Sequence, residues 1–476
     1  MHPKKSLSFF YIILPVIFLG LMIIYGMFLR PKVFGQSQFP LEIVFMLASI
    51  FAITELMIFG FEWSAIQDSI VRKISRGFPA ILILFAIGIL IGTWIISGTV
   101  PMLIYYGIKL INPDYIYILA FIIPIIFSTL TGTSWGSIGT IGVVIIGVAS
   151  IINANLGITT GAIVGGAFFG DKLSPLSDTT NIAAMATEVD LYDHIRSMMA
   201  TTLPSALIAA LIYFLLGFIY PPLGNQVDNH HTSPILGTIA SMFNFNWFLL
   251  IPPIIVLIGS TRKMATLPTL LTSSMSAVAL ALIFQPYSFE NVMESIHKGF
   301  DSNMAHWVID KPNNVHELFT RGGLYELNEA IIFSIMVFVF IGAIDLINSM
   351  PTIVDKIFTF IRSKATLIVS SLFATAFTSA ITSNQSATSF IIGDAFGKRY
   401  DLSGVSRKVL SRSIEDYGTM FESLVPWHAT TIFITSTLGV SFNDYWNWQL
   451  LSIINLIIAP TLAILGRGCF YKDNTS

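Results

Sequence analysis

The stretch GAIVGGAFFGDKLSPLSDTTN, Gly161 to Asn181, decides how the rest of the chain is read. It begins as a helix of small residues, with Gly161, Gly165 and Gly170 placed to let a neighbouring backbone come close. It then passes without a linker into Asp171, Lys172, Ser174, Pro175, Ser177, Asp178, Thr179, Thr180 and Asn181. A helix that breaks at a proline into carboxylates, hydroxyls and an amide cannot face lipid, because its freed backbone groups would stay unpaired. It has to face protein or a water-filled cavity, as do the broken helices from which transporters build ion and substrate sites near the bilayer midplane. Taken alone, the stretch reads more readily as a polar loop between two spans. A second stretch of the same kind in the other half of the chain reverses that reading.

Composition sets the class. Of 476 residues, 54% are hydrophobic and 11% charged, with a mean hydropathy of +0.76. Soluble domains carry about 25% charged residues, so the expectation is an all-α polytopic membrane protein lying in a lipid bilayer. A net charge of −2 with no basic stripe excludes a nucleic-acid partner. The single cysteine, Cys469, excludes an internal disulfide framework and a cysteine-based zinc site. Lys4 and Lys5 precede a long apolar run with no small-residue cleavage site, which reads as a retained first span with its N-terminus in the cytoplasm.

Along the chain, Ser8 to Leu29 and Phe39 to Phe59 are long enough to span, with Glu42 at a helix end and Glu55 in need of a partner or a cavity. Arg72, Lys73 and Arg76 read as a cytoplasmic loop before a span from Pro79 to Trp94. Val100 to Ile111 is too short to cross. The apolar run 116–152 is interrupted by TLTGTSWGSIGT, Thr129 to Thr140, whose three glycines make a poor continuous helix. No strand precedes it and no Lys-Ser or Lys-Thr pair closes it, so a re-entrant element fits better than a phosphate loop. Spans follow at 198–220, 247–259 and 264–284. Asp228, His230 and His231 lie in a polar connector that lacks the further ligands of a metal site. Gln285 to Asn328 is the longest soluble stretch and joins an N-terminal half, 1–284, to a C-terminal half, 329–476; a cap or gate is the alternative role for it.

The second half repeats the pattern. The run 366–396 is interrupted by TSAITSNQSATS, Thr378 to Ser389, and 413–440 holds Glu415, Asp416, Thr419, Glu422, Pro426, Trp427 and His428. GDKLSPL (Gly170 to Leu176) aligns with GTMFESL (Gly418 to Leu424). The loops around Thr129–Thr140 contain no Lys or Arg, while those around Thr378–Ser389 contain Lys356, Arg362, Lys364, Lys398, Arg399, Arg407 and Lys408. Positive residues stay on the cytoplasmic side, so the two segments should enter from opposite faces as an inverted-topology repeat with re-entrant and discontinuous helices. The broken segments are then 116–152 with 158–187, and 366–396 with 413–440. Asp171, Asp178, Asp416 and Glu422 are the candidate proton carriers.

ILIGTWIISGTVPMLIYYGIKLINP (Ile89 to Pro113), GTSWGSIGT, GDKLSPLSDTTN, HIRSMM and LSRSIEDYGT…LVPWH resemble the NhaC-type Na⁺/H⁺ antiporter family over roughly Gly60 to Val440. The resemblance implies a secondary transporter of the ion-transporter superfamily in a prokaryotic plasma membrane, with Na⁺ as coupling ion, H⁺ as its counterpart and no organic cofactor. Family members also include malate/lactate antiporters and Na⁺-coupled amino-acid carriers, so a small organic anion or amino acid is the alternative cargo. A homodimer is compatible with it. The first motif carries over as candidate ligands Asp171, Ser174, Asp178, Thr179, Thr180 and Asn181. Thr131, Gly132, Thr133 and Ser134 join them from the first interrupted segment, and Thr382, Ser383, Asn384 and Gln385 from the second. Asp416, Thr419, Glu422 and His428 complete the set, with Thr133, Asp171, Asp178, Ser383 and Asn384 assigned to Na⁺. Where relatives read T-G/S-D-Q, this chain has Thr382, Ser383, Asn384 and Gln385, an amide in place of a carboxylate. Where they read S-P-L-I-P-W-N, it has Glu422 to His428, two ionisable replacements that either meet the cargo or pair with each other. An intramembrane hydrolase would need an activated nucleophile, for which Ser423 near His428 is the one pair to consider.

Overall fold

A backbone buried in lipid has to pair with itself, so the long apolar runs become helices. The computed structural model describes residues 7–222, 229–262, 264–309, 311–358 and 363–469. Lys4, Lys5, Asp228, Lys263 and Arg362 lie outside these residues, as do the side chains of His230 and His231. Among the described residues, nine helices are long and apolar enough to cross a membrane, or eleven if two bent pairs each count as one span. The chain is an all-α polytopic membrane protein, with one isolated bridge, Phe300 to Arg321, among the described residues.

α1 (Phe9–Val33) and α2 (Leu41–Ile58) form an antiparallel pair, joined by Phe18 stacked on Phe51 with ring centroids 4.3 Å apart. Glu42 lies in the first turn of α2, where a carboxylate suits the positive end of the helix. Glu55 is half-buried on α2, and its Oε1 has no hydrogen-bond partner among the described residues. α3 (Trp63–Ile96) corrects the reading of a basic loop before Pro79: the helix runs through the proline, and Arg72, Lys73 and Arg76 ride on it. Cross-links to α10 (Asn328–Asp345) hold that extension. Lys73 pairs with Asp345 at 2.9 Å, and the Ser69 hydroxyl donates to Gly342 O at 2.7 Å.

α4 (Ile116–Thr131) and α5 (Ser134–Ile151) form a helical hairpin, closed at its base where Tyr117 Oη accepts from Asn155 N at 2.9 Å. α6 (Leu156–Leu173) packs along α4 through its glycines. A Cβ at Gly170 would sit 2.4 Å from Thr129 N, and one at Gly161 would sit 2.3 Å from Trp448 O. α7 (Asp178–Ala186) continues beyond the break, and α8 (Leu191–Ile219) crosses beside both. α9 (Thr266–Phe284) precedes the stretch read above as a soluble connector.

That connector is folded against the bundle. Phe300, Val315 and Phe319 are buried, and Gly323 N donates to Gly88 O of α3 at 2.8 Å. A Cβ on Gly92 would lie 2.3 Å from Ser295 O and 2.9 Å from Gly323 N. Gly92→Ala is therefore expected to destabilise the protein by about 1–3 kcal/mol, because the added methyl meets backbone that cannot yield cheaply. A thermal midpoint equal to wild type in detergent would refute this.

The second hairpin, α11 (Lys364–Thr382) with α12 (Gln385–Leu402), closes at its base through Ser371 Oγ and Tyr400 Oη, 2.7 Å apart. α13 (Arg407–Tyr417), α14 (Thr419–Glu422) and α15 (Ala429–Leu438) form the second broken helix, and α16 (Leu450–Leu465) closes the bundle. The hairpins enter from opposite faces. Tyr117, at the base of the first, donates to Tyr220 O just past the C-terminal end of α8, at 3.0 Å. At the base of the second, Asp401 shares Arg407 with Glu188, which just precedes α8 (2.7 and 2.5 Å). Arg72, Lys73 and Arg76 lie on this second face, as does the start of α1, where Lys356 sits 4.7 Å above the Phe9 ring.

Candidate functional site

Each hairpin tip is built the same way. Gly132 (φ 68°) and Ser383 (φ 44°) take the left-handed conformation that ends a helix, and the next residue caps the returning one. Thr133 Oγ1 accepts from Gly136 N at 3.2 Å, and Asn384 Oδ1 from Ala387 N at 2.8 Å. Thr131 and Ser137 hydroxyls lie 3.2 Å apart across the first tip, and Thr382 and Thr388 3.0 Å apart across the second. Thr131 and Thr382 thus brace the tips.

The first break is braced as well, by its own side chains and by the neighbouring hairpin. After α6, the Thr180 hydroxyl donates to Asp171 O and Lys172 O, at 3.2 and 3.0 Å, pairing carbonyls that the helix end leaves free. Ser174 Oγ donates to Thr129 O at 3.0 Å, and Asn181 Nδ2 donates to Pro175 O and Ser177 O at 3.0 and 2.6 Å. The aligned glycines differ in use: Gly170 lies inside α6, whereas Gly418 interrupts the second helix between α13 and α14.

The two tips and two breaks meet around a cavity of about 240 Å³. Gly132, Thr133, Ser134, Asp171, Asp178 and Thr179 line it from the first half, and Ser383, Asn384, Gln385, Thr419, Glu422 and His428 from the second. Trp135, Thr266, Ser334, Phe338 and Ile83 complete much of the wall. Asp171 is 5% exposed and its Oδ2 accepts the Ser134 hydroxyl at 2.7 Å; Asp178 stands exposed at the rim. Thr131, Ser174, Thr180, Asn181, Thr382 and Asp416 are not among the lining residues.

Asp416 is held elsewhere. Its Oδ1 receives the Lys172 ammonium, the Thr201 hydroxyl at 2.9 Å and the Asn455 amide at 3.0 Å, and Arg412 Nε lies 3.8 Å from Oδ2. This is a buried ion pair between the two broken helices. A lysine in an apolar span signals some buried anion, yet the sequence does not say which carboxylate answers it. Trp135 and Phe338 carried no signal at all, since aromatics are plentiful in membrane helices.

Glu422 and His428 do not pair with each other; both use Thr430. Glu422 Oε2 accepts the Thr430 hydroxyl at 2.7 Å, and His428 Nδ1 accepts Thr430 N at 3.2 Å, which places the ring proton on Nε2. Ser423 is fully buried, with its hydroxyl accepting from Gln449 Nε2, so it is not posed as a nucleophile towards His428. Among the described residues, no group of three or more His, Cys, Asp or Glu is arranged to hold a metal. The oxygens that line the cavity come from hydroxyls, amides and single carboxylates. On the opposite side of the segment from Glu422 to Ile432, a larger cavity of about 790 Å³ opens, lined by Leu424, Pro426, Thr431 and Ile432 with Glu42, Glu329 and Trp446.

Two inverted hairpins and two broken helices around a polar cavity define the class: a secondary active transporter. Residues 166–467 match the Na⁺/H⁺ antiporter family. An uncharacterized Na⁺/H⁺ antiporter of Haemophilus influenzae is 37% identical over 91% of this chain and 92% of its own. The Na⁺/H⁺ antiporter NhaC of Bacillus subtilis is 33% identical, covering 86% and 87% of the two chains. The malate-2H⁺/Na⁺-lactate antiporter of the same organism is 30% identical, covering 97% of each. The chain belongs to the Na⁺/H⁺ antiporter family.

Proposed function

We propose that this protein exchanges Na⁺ for H⁺ across a prokaryotic plasma membrane by alternating access. The observation that carries this is the junction of both tips and both breaks on one cavity, which holds Asp171, Asp178 and Glu422 beside the oxygens of Thr133, Ser383 and Asn384. Carboxylate, hydroxyl and amide oxygens suit a hard monovalent cation, and only the carboxylates can also take up a proton. The segment from Glu422 to Ile432 separates this cavity from the vestibule on the other side: Thr430 faces the one and Thr431 the other. The face bearing Arg72, Lys73 and Arg76 is then cytoplasmic by charge, with the N-terminus on that side.

The test is a Na⁺ gradient imposed on proteoliposomes that contain a pH-sensitive dye and no organic solute. Proton movement is expected, coupled to Na⁺ and absent from protein-free vesicles. Silence from folded protein would overturn plain exchange.

A second reading, an organic cargo, is favoured by the cavity's size, well beyond one ion. Its lining residues include three carboxylates and no Lys or Arg, while Lys172 is turned away onto Asp416. A cargo carrying only carboxylates, such as those in the name of the malate/lactate relative, would lack a cationic partner there. An amine-bearing solute would find anions, with Trp135 and Phe338 as aromatic wall. Adding malate, lactate and small amines in turn to the same vesicles separates the cases.

A further inference from the structure

One acid outside the cavity is left unexplained by this exchange. Glu415 is fully buried on α13, one turn before Gly418. Its Oε2 accepts the Thr419 hydroxyl at 2.7 Å, and its Oε1 is sealed from solvent with no hydrogen-bond partner among the described residues. Gln385, the first residue of α12, faces the same break. Its Nε2 donates to Ile414 O at 3.2 Å, and its Oε1 is likewise buried without a partner. A Cβ at Gly418 would lie 2.3 Å from that Oε1 and 2.4 Å from Nε2, so the carboxamide fills the space the glycine leaves.

The first half uses the matching position differently. Ser134, also the first helical residue after a tip, gives its hydroxyl to Asp171. There the acid has a donor. In the second half two acceptor oxygens flank one break, and Lys172, within electrostatic reach of Glu415, is tied to Asp416. Buried acceptors without a donor are costly and uncommon, and a pair of them, one on a carboxylate, is what a cation recruits.

We propose that Glu415 Oε1 and Gln385 Oε1 ligate a Na⁺ ion in a sealed position behind the cavity, reached past Thr419. Thr419 lines the cavity and holds the other oxygen of Glu415. This rests on the Na⁺-coupled reading and adds a second ion position to it; Gln385 is among the ligand candidates drawn from the sequence, and Glu415 is not.

The test is direct Na⁺ binding, followed as Na⁺-dependent thermal stabilisation of the full chain in detergent, with choline at equal ionic strength as control. Glu415→Gln is expected to shift the half-saturating Na⁺ concentration at least tenfold upward and to lower the Hill coefficient towards 1. Gln385→Ala, which leaves every charge in place, should shift it in the same direction, and supplies the result if Glu415→Gln does not fold. Asp171→Asn is run alongside to report the cavity position. Wild-type Na⁺ curves in both Gln385→Ala and Glu415→Gln would overturn the proposal, assigning these oxygens to a proton or a water. If Asp171→Asn is blunted in that case, Na⁺-coupled exchange survives and only the second position falls. A wild-type protein with no Na⁺ response overturns both.

Discussion

Asp171→Asn is expected to abolish Na⁺-driven proton movement, leaving any residual rate on the order of 100-fold or more below wild type, equivalent to about 3 kcal/mol. The substitution is nearly isosteric. An asparagine Oδ1 can still accept the Ser134 hydroxyl that Asp171 now accepts at 2.7 Å, so the hairpin tip and the break should keep their geometry. Two properties vanish: the negative charge that the proposed exchange requires, and the capacity to carry a proton. Asp178→Asn removes the same charge at an exposed position on the rim, where water screens it, and is expected to weaken Na⁺ dependence less than about tenfold. The measurement is the proteoliposome assay on both variants, with thermal midpoints showing that each is folded. Wild-type exchange by folded Asp171→Asn would remove Asp171 from the ion site.

The elements that sequence could reveal are those with a local signature. Polar interruptions at Thr129–Thr140, with its three glycines, and at Thr378–Ser389, which has none, announced two re-entrant hairpins, because a lipid-facing helix cannot contain them. The asymmetry of Lys and Arg around them announced opposite entry. Twelve of the named ligand candidates line the central cavity, since tips and breaks are where freed backbone and polar side chains collect. Other features were hidden because they depend on partners remote in sequence. Arg72, Lys73 and Arg76 read as a loop, but they ride on α3, where Lys73 meets Asp345, 272 residues further on. Asp416 had the composition of a proton carrier, and only the fold shows Lys172 occupying it. Ser174, Thr180 and Asn181 carry ligand chemistry yet turn it to backbone carbonyls, Thr180 and Asn181 to those of their own break and Ser174 to Thr129 O of α4. Glu422 and His428 are close enough in sequence to pair, but Thr430 lies between them and bonds both.

Lys172→Met is expected to be among the most destabilising single changes in the chain. It leaves Asp416, 1% exposed, without the ammonium that now contacts its Oδ1. Breaking a buried pair by deleting one partner costs about 3–5 kcal/mol, because the remaining charge stays desolvated. Thr201 and Asn455 would still donate to Oδ1, and Arg412 would remain 3.8 Å from Oδ2, but two neutral donors and one distant cation do not replace a direct ion pair. Lys172→Met combined with Asp416→Asn removes both charges while retaining an acceptor for Asn455 and Thr201. It should therefore recover a large part of the loss, with a coupling of roughly 1–3 kcal/mol in a double-mutant cycle read from thermal midpoints. Strict additivity would show that the two side chains do not act as a pair. Recovery of stability without recovery of exchange would say more. Lys172 sits at the end of α6 and Asp416 at the end of α13, next to the two breaks. A neutral pair can fill that space, but it does not hold one break against the other with the directional grip of an ion pair, and the four elements that line the cavity meet only while both breaks stay in register.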